Sequence, residues 1–543
     1  MNKLIILINS LCFIVLSGSA QQDTSKLILN QVEVIKVFEA NLEEARKVQI
    51  KSVLPPQKDF SPKYKYDITI VPITLNFPEP QIKPLAMNPD APFKINKGFV
   101  RAGYGILKNP EIMAGYHMSK KDSYDAGIQV NFESLNNSSS LPFQKYRNSA
   151  LQLYGTRLIK ENVKIYGDIG IDTKQRYFYH SALNIDSLYG EINSKRSISG
   201  YHANIGLSNA EPTRFKINYD VSLGLRNRKI TNEDARENGI AVGAKVEKIF
   251  RDNTVLSIDG NFDYSAFNGV DQVSLTTASL TPVFKTRIKK LIFNGGVNLL
   301  YSSDGNSAIF PELKISYGIV GNNLQAFAGV HQGYFTNNFT NISAYNPYLS
   351  TDIDTLRNSV FREFYGGIKG QFSFLTYQVK GGYKDVRDQM FLLNTQGDIR
   401  RFDMLYDDVG IVFISGNLDF AIKENITFGG WLTQNVFSLN TLANAWHIPN
   451  LEANAYVNVK VLNDLLLLRS ELFLGNSVPF VTKDNLVTKS NVLFDFNLSA
   501  ELKVYKNSFI FIKGINLFDN QYERWYGYPS VGINGMVGLQ VTF

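Results

Sequence analysis

Asn534-Gly535-Met536-Val537-Gly538-Leu539-Gln540-Val541-Thr542-Phe543 closes the chain. Counting back from Phe543, the residues Val541, Leu539, Val537, Gly535, Ile533 and Val531 share one parity, and Thr542, Gln540, Gly538, Met536, Asn534 and Gly532 the other. Side chains of a strand alternate between its two faces, so one face here is apolar and the other mostly polar or small. In a sandwich the apolar face meets a second sheet. In a membrane barrel it meets lipid, and the polar face lines a lumen. Alternation by itself fits both.

Three further features favour the barrel. Met1-Asn2-Lys3 is a short basic start, Leu4 to Leu16 is largely apolar and Gly18-Ser19-Ala20 supplies small residues, so residues 1–20 read as a secretory signal peptide. Cys12, inside that stretch, is the chain's one cysteine, and the mature chain from Gln21 has no thiol for a disulfide framework or a thiolate metal site. No other segment is apolar over the roughly 20 residues of a spanning helix, although 44% of residues are hydrophobic and 13% aromatic. Strands must therefore do any spanning.

The third feature is the count. Lys97 to Phe543 divides into about 22 alternating segments at roughly 20 residues per strand plus connection, which suits tilted spanning strands. In Leu451 to Val461, Ala453, Ala455, Val457 and Val459 oppose Glu452, Asn454, Asn458 and Lys460; in Val492 to Val504, Phe494, Phe496, Leu498 and Leu502 oppose Asp495, Asn497, Ser499, Glu501 and Lys503. A charge at every second position suits a wet interior rather than a dry core. Tight turns are expected at Lys160-Glu161-Asn162, Arg251-Asp252-Asn253, Lys423-Glu424-Asn425, Leu462-Asn463-Asp464 and Lys506-Asn507. Long loops are expected at 135–148, 180–195, 337–360, 394–408 and 477–490. That asymmetry predicts an all-β transmembrane antiparallel barrel with both termini in the periplasm. Pro282 and Pro311 fall in or near strands, where proline removes a ladder donor.

The ending also carries a resemblance. Gly514-Ile515-Asn516-Leu517-Phe518-Asp519-Asn520-Gln521-Tyr522, then Trp525, Gly527-Tyr528-Pro529 and the last strand, resembles the end of a TonB-dependent receptor of the Bacteroidetes type. The resemblance covers the barrel, about four-fifths of the chain. It implies 22 strands in the outer membrane, a ligand-uptake role, contact with lipid and lipopolysaccharide, and TonB as a partner. Asn516, Leu517, Phe518, Asp519, Tyr522, Gly527, Tyr528 and Pro529 are the residues that match. Gly538, Val541 and Phe543 are the candidate signal for the barrel-assembly machinery.

Two departures stand out. Ser530-Val531-Gly532-Ile533-Asn534 stands where the family has a Pro-Gly-Arg turn. The family also carries a folded plug and a TonB box before the barrel, whereas here residues 21–96 precede it. Nine of the chain's 18 prolines lie between Pro55 and Pro92, so the segment reads as extended, polyproline-like or partner-bound chain in the periplasm or lumen. Phe38 to Lys47 is a candidate short amphipathic helix, and Val32 to Val37 reads as a β-addition or linker segment. A lumen this wide needs a filler: residues 21–96, inward-folded loops, or another protein that occupies or caps the pore. The alternative to ligand uptake is a non-transport scaffold subunit of a larger outer-membrane assembly or secretion complex, whose Pro-rich periplasmic arm binds partners.

Catalytic chemistry is not evident. His117, His180, His202, His331 and His447 are scattered, without HExxH-type spacing or a nearby carboxylate pattern. Gly366-Gly367 and Gly381-Gly382 read as strand glycines. Asp352-Ile353-Asp354 and Asp407-Asp408 read as solvated loop residues rather than cation ligands. Trp446, Trp525, Tyr526 and Tyr528 are assigned to an interfacial aromatic girdle in preference to a ligand platform. The formal net charge of +7 falls to +6 once Lys3 is removed, compatible with attraction to anionic lipopolysaccharide; no motif supports nucleic-acid binding. No cofactor, metal or catalytic residue is assigned.

Overall fold

The computed structural model describes residues 96–543, except 160–161, 252–253, 322, 423–424 and 463–464. The expectations for residues 1–20, for the segment up to residue 95, and for the tight turns at 160–161, 252–253, 423–424 and 463–464 lie outside the described residues. The remainder is a closed antiparallel barrel of 22 strands in which each strand pairs with its sequence neighbours. Gly98–Gly105 pairs with Glu111–Lys120 on one side and with the last strand, Asn534–Thr542, on the other. Closure leaves no edge strand.

The period-two pattern becomes two surfaces. Val537, Leu539 and Val541 point outward and are about half exposed, while Met536 is buried inside. Charges on the inner wall pair across strands: Arg226 grips Asp263 with two 2.7 Å bonds, Arg228 lies 2.5 Å from Asp172, and Lys513 lies 2.7 Å from Glu111. Such pairs satisfy charges on a partly wet wall. Among the described residues, no helix is long and apolar enough to cross a membrane.

Both strand prolines sit where a missing N–H is tolerated. The strand Gln272–Ile288 pairs with Leu291–Ser302 at Leu280↔Leu299 and again at Val283↔Gly296, skipping Thr281 and Pro282. Pro311 lies within Ala308–Val320, whose pairing with Leu324–Phe335 begins only at Leu313. The strand glycines permit close approach: a Cβ on Gly382 would lie 2.1 Å from the Phe364 carbonyl oxygen, and one on Gly367 2.1 Å from that of Val379. The Lys506-Asn507 turn is present, with Tyr505 paired to Ser508.

One expected loop is corrected. Residues 394–408 are not an irregular loop but the top of a tall hairpin formed by Leu375–Thr395 and Asp398–Ile422, 21 and 25 residues long. Its Asn, Asp and aromatic side chains made the stretch resemble a loop, yet the ladder continues to Thr395↔Asp398. Its register slips between Val386 and Gln389, where Asp388 adopts φ 48°. A bulge of this kind bends a strand. The loops at the same end carry two short helices, α1 (Ile185–Ser194) and α2 (Phe339–Tyr345), and a small hairpin, Pro479–Val481 with Val487–Lys489.

Gly538 shows how tightly the closing seam is packed. A Cβ there would sit 2.3 Å from both the Ala102 oxygen and the Phe511 ring, and that ring lies 3.6 Å beneath the Arg101 guanidinium. Overpacking of this kind costs about 1–3 kcal/mol. Gly538→Ala is therefore expected to lower the temperature at which the purified barrel loses its compact gel mobility; an unchanged transition would contradict this packing.

Candidate functional site: a loop cap across the barrel mouth

Strand spacing of about 4.8 Å and a tilt of about 40° put opposite walls of a 22-stranded barrel roughly 40 Å apart. Loops on opposite walls can touch only by reaching over the mouth, and here they do. Tyr179 and His180 follow the fifth strand; the hairpin bearing Arg400 and Phe402 joins the fifteenth and sixteenth. Both meet the last long loop, 516–533, at Tyr528. The Tyr179 and Tyr528 rings are 5.1 Å apart, and the Tyr528 hydroxyl donates to the Arg400 carbonyl at 2.6 Å.

The family-like motif builds that last loop. Asn516, at φ 48°, donates through Nδ2 to the carbonyls of Asn520 and Val531 at 3.0 and 2.9 Å, and its Oδ1 accepts from the Asn520 amide. Asp519 accepts the Ile533 amide at 2.9 Å, and the Tyr522 carbonyl accepts the Ser530 amide at 2.8 Å. These bonds tie the two limbs together at the base. Leu517 packs over Gly514, while Phe518 turns outward onto Phe494 and Phe496. The tip of the loop, Trp525 to Pro529, is thereby carried into the cap.

There it is a keystone. Tyr528 stacks on Tyr348 with centroids 3.7 Å apart; Trp525 packs edge-on against Tyr345 and Phe402; Tyr526 stacks on Phe480. The Pro529 carbonyl accepts from Gln144, and the Gly527 carbonyl from the Ser181 amide. Phe402 is fully buried and bonded on both sides, donating to the Tyr348 carbonyl and accepting from the Ser350 amide. The girdle assignment is accordingly corrected: Trp446, Tyr526 and Tyr528 are buried in the cap, because loops that fold inward bring their aromatics together instead of presenting them to an interface. The Asp407 assignment is corrected too. Its carboxylate is not solvated, since it accepts the amides of Asn440, Thr441 and Leu442 at 3.0–3.1 Å and fixes the neighbouring loop.

The histidines form two sets. On the inner wall His117, His202 and His331 each face a carboxylate from an adjacent strand: Asp125 at 3.0 Å, Asp168 at 3.0 Å and Glu312 at 2.6 Å. Pairing across strands is invisible in linear spacing, which is why no carboxylate pattern was evident in the sequence. Among the described residues, no group of three or more His, Cys, Asp or Glu is placed to hold a metal ion.

His180 and His447 are fully buried and flank the Trp525 to Tyr528 tip. His180 lies edge-on to Tyr526 and Tyr528, with Arg400 and Asp398 nearby; His447 packs on Phe480 and Trp525, and its Nδ1 lies 3.0 Å from the Arg524 carbonyl. Burial pushes each ring from 6.5 to about 4, so both are neutral at pH 7. An opened cap would bind protons that the closed one refuses. Cap stability is thus whole above pH 6.5 and falls as pH drops towards 4, by about 2–3 kcal/mol per ring. Proteolysis of the cap loops is expected to accelerate on going from pH 7.5 to 4.5, and the double variant His180→Phe, His447→Phe should flatten that profile. An equally steep profile in the variant would assign the effect to other groups.

No family model and no curated protein matches the sequence. Among solved structures, the chain is similar to the FrpB iron transporter from Neisseria meningitidis, F3-3 variant, with a TM-score of 0.65 and 10% identity over 83% of this chain and 82% of that one. It is similar to a chain of the FpvAI–pyocin S2 complex, with a TM-score of 0.64 and 10% identity over 83% and 71%. It is also similar to a mutant of the ferric enterobactin receptor PfeA from Pseudomonas aeruginosa in complex with enterobactin, with a TM-score of 0.62 and 10% identity over 82% and 81%. At this identity the likeness is one of fold: the chain has the 22-stranded barrel architecture of TonB-dependent receptors.

Proposed function

We propose that the chain is an outer-membrane barrel that takes up a ligand from the side of the loop cap, with TonB as its energy partner and residues 21–96 as the periplasmic or lumenal coupling segment. The observation that carries this reading is a closed 22-stranded barrel with an ion-paired polar wall and a mouth bridged by its own loops. The apolar outer face suits lipid, and the rim beside it lipopolysaccharide. Gly538, Val541 and Phe543, at the seam, would be read by the barrel-assembly machinery. Similarity to an iron transporter and a ferric enterobactin receptor makes ferric chelates the first ligand class to assay. No enzymatic role is proposed.

A second reading, a scaffold subunit of an assembly or secretion complex, is favoured by one observation: the cap core is a fully packed aromatic cluster, with Phe402, His180 and His447 inaccessible. Gentle-detergent purification from outer membranes, with full-length chain beside a variant lacking residues 24–94, separates the two. A solitary barrel in both samples supports uptake. Stoichiometric partners other than TonB that are lost with the deletion would overturn it in favour of the scaffold.

A further inference from the structure

The tip of the tall hairpin brings together more positive charge than its carboxylates can neutralise. The guanidinium carbons of Arg196, Arg400 and Arg401 lie 6.0, 5.3 and 5.2 Å from the centroid of one ring, that of Phe178. Two carboxylates serve them. Asp398 takes Nε and Nη2 of Arg400 at 2.7 and 2.9 Å and Nε of Arg401 at 3.2 Å; Glu233 takes Nη1 of Arg401 at 2.5 Å and faces Nε of Arg196 at 3.4 Å. Glu523, elsewhere in the cap, is committed to the Gly527 amide and to Ser181. Three cations against two anions leave one excess positive charge around a benzene ring.

That excess is buried. Arg196 is 1% exposed and Arg400 8%. Nη1 of Arg196 is used on the carbonyls of Pro347 and Leu349, but its Nη2 and its Nε, which only faces Glu233 at 3.4 Å, have no hydrogen-bond acceptor, and neither has Nη1 of Arg400. Unpaired buried charge is strongly unfavourable, and buried guanidiniums are ordinarily matched by carboxylate or phosphate oxygens. Burial already pulls Arg196 down to about 10, which leaves it charged at neutral pH. Three orphan donors and one uncompensated charge beside one ring match the chemistry of a single anionic group with oxygens to accept them.

We propose that Arg196, Arg400 and Arg401, with Phe178 as the floor, form a binding site for a small oxyanion or for the carboxylate or phosphate group of a soluble ligand. The hairpin tip lies over the mouth, bonded to Tyr528 and Glu233, so the anion comes from the solution side and not from a lipid headgroup. An anion seated here would draw on the same guanidiniums that hold Glu233 and Asp398, which places the site on the contact that closes the cap. As a statement of substrate class this rests on the uptake reading. The binding itself does not.

The test is isothermal titration of inorganic phosphate into the full-length detergent-solubilised protein at pH 7 in low-chloride buffer. Wild type is expected to bind one phosphate saturably. Arg400→Gln, which removes the charge while leaving a shorter polar side chain at the hairpin tip, should weaken binding by about tenfold or more, the loss expected for one charge-assisted contact. Arg287→Gln, near the short-turn end, should bind as wild type does. Heat-modifiable gel mobility verifies that each variant is folded. No saturable uptake by wild type, or equal affinity in Arg400→Gln, overturns the site; binding by a protein that moves no ligand would overturn the uptake reading alone.

Discussion

Gly527→Ala is expected to unseat the cap while leaving the barrel wall intact. Gly527 sits at φ 81°, and a Cβ there would lie 2.2 Å from the His180 ring, which is itself fully buried between Tyr526 and Tyr528. Alanine at such a backbone angle costs about 1–2 kcal/mol, and forcing a buried ring aside adds an overpacking penalty of about 1–3 kcal/mol. The sum, on the order of 3 kcal/mol, corresponds to roughly a hundredfold rise in the open population. Hydrogen exchange read by mass spectrometry should show it. Segments around 178–184, 345–350, 400–402 and 523–530 should exchange about a hundredfold faster, and the strands at their wild-type rate. Adding His180→Ala to Gly527→Ala removes the clash but not the backbone strain, so part of the protection should return. Wild-type exchange in the single variant would mean that the tip is not a keystone.

The wall of this barrel was legible because each strand advertises itself locally. Val537, Leu539 and Val541 alternate with Gly538 and Gln540 whether or not their partners are known, and 22 such segments with turns between them admit few architectures. The cap was not legible, because its contacts join residues with no local relation. Tyr348 meets Tyr528, 180 positions away, and Arg401 meets Glu233, 168 positions away. Nothing near Tyr528 tells whether an aromatic loop will face lipid or fold over a lumen; the choice depends on what other loops offer in return. The same limit hid the His331–Glu312 pair, whose members lie on adjacent strands 19 residues apart. It also made the tall hairpin look like a loop, since its polar residues are spent on partners across the mouth. Asn516 and Asp519 were found, but as matching residues; their work in tying the loop base is a structural result.

Removal of Phe543 is expected to have the largest effect on the amount of barrel made. The residue closes the cylinder: its carbonyl accepts the amides of Lys97 and Gly98 at 2.5 and 2.8 Å, and its amide donates to the Gly98 carbonyl at 2.8 Å. Its ring lies over Gly98 and stacks on Tyr116 with centroids 6.4 Å apart. These contacts join the last residue of the chain to the first strand, so they form only when every strand between is in place. Three backbone bonds at about 1 kcal/mol each and one aromatic contact of about 1 kcal/mol give roughly 4 kcal/mol for closure. Deletion of Phe543 should therefore reduce folded, heat-modifiable protein in the outer membrane by at least about tenfold. Phe543→Ala separates the two contributions, because it keeps the backbone bonds and removes only the ring. If Phe543→Ala assembles as poorly as the deletion, the ring is what the assembly machinery reads; if it assembles like wild type, closure rests on the backbone and the proposed signal contracts to Gly538 and Val541. Normal assembly of the deletion itself would show that the seam closes without its last residue, and the role assigned to Phe543 would fall.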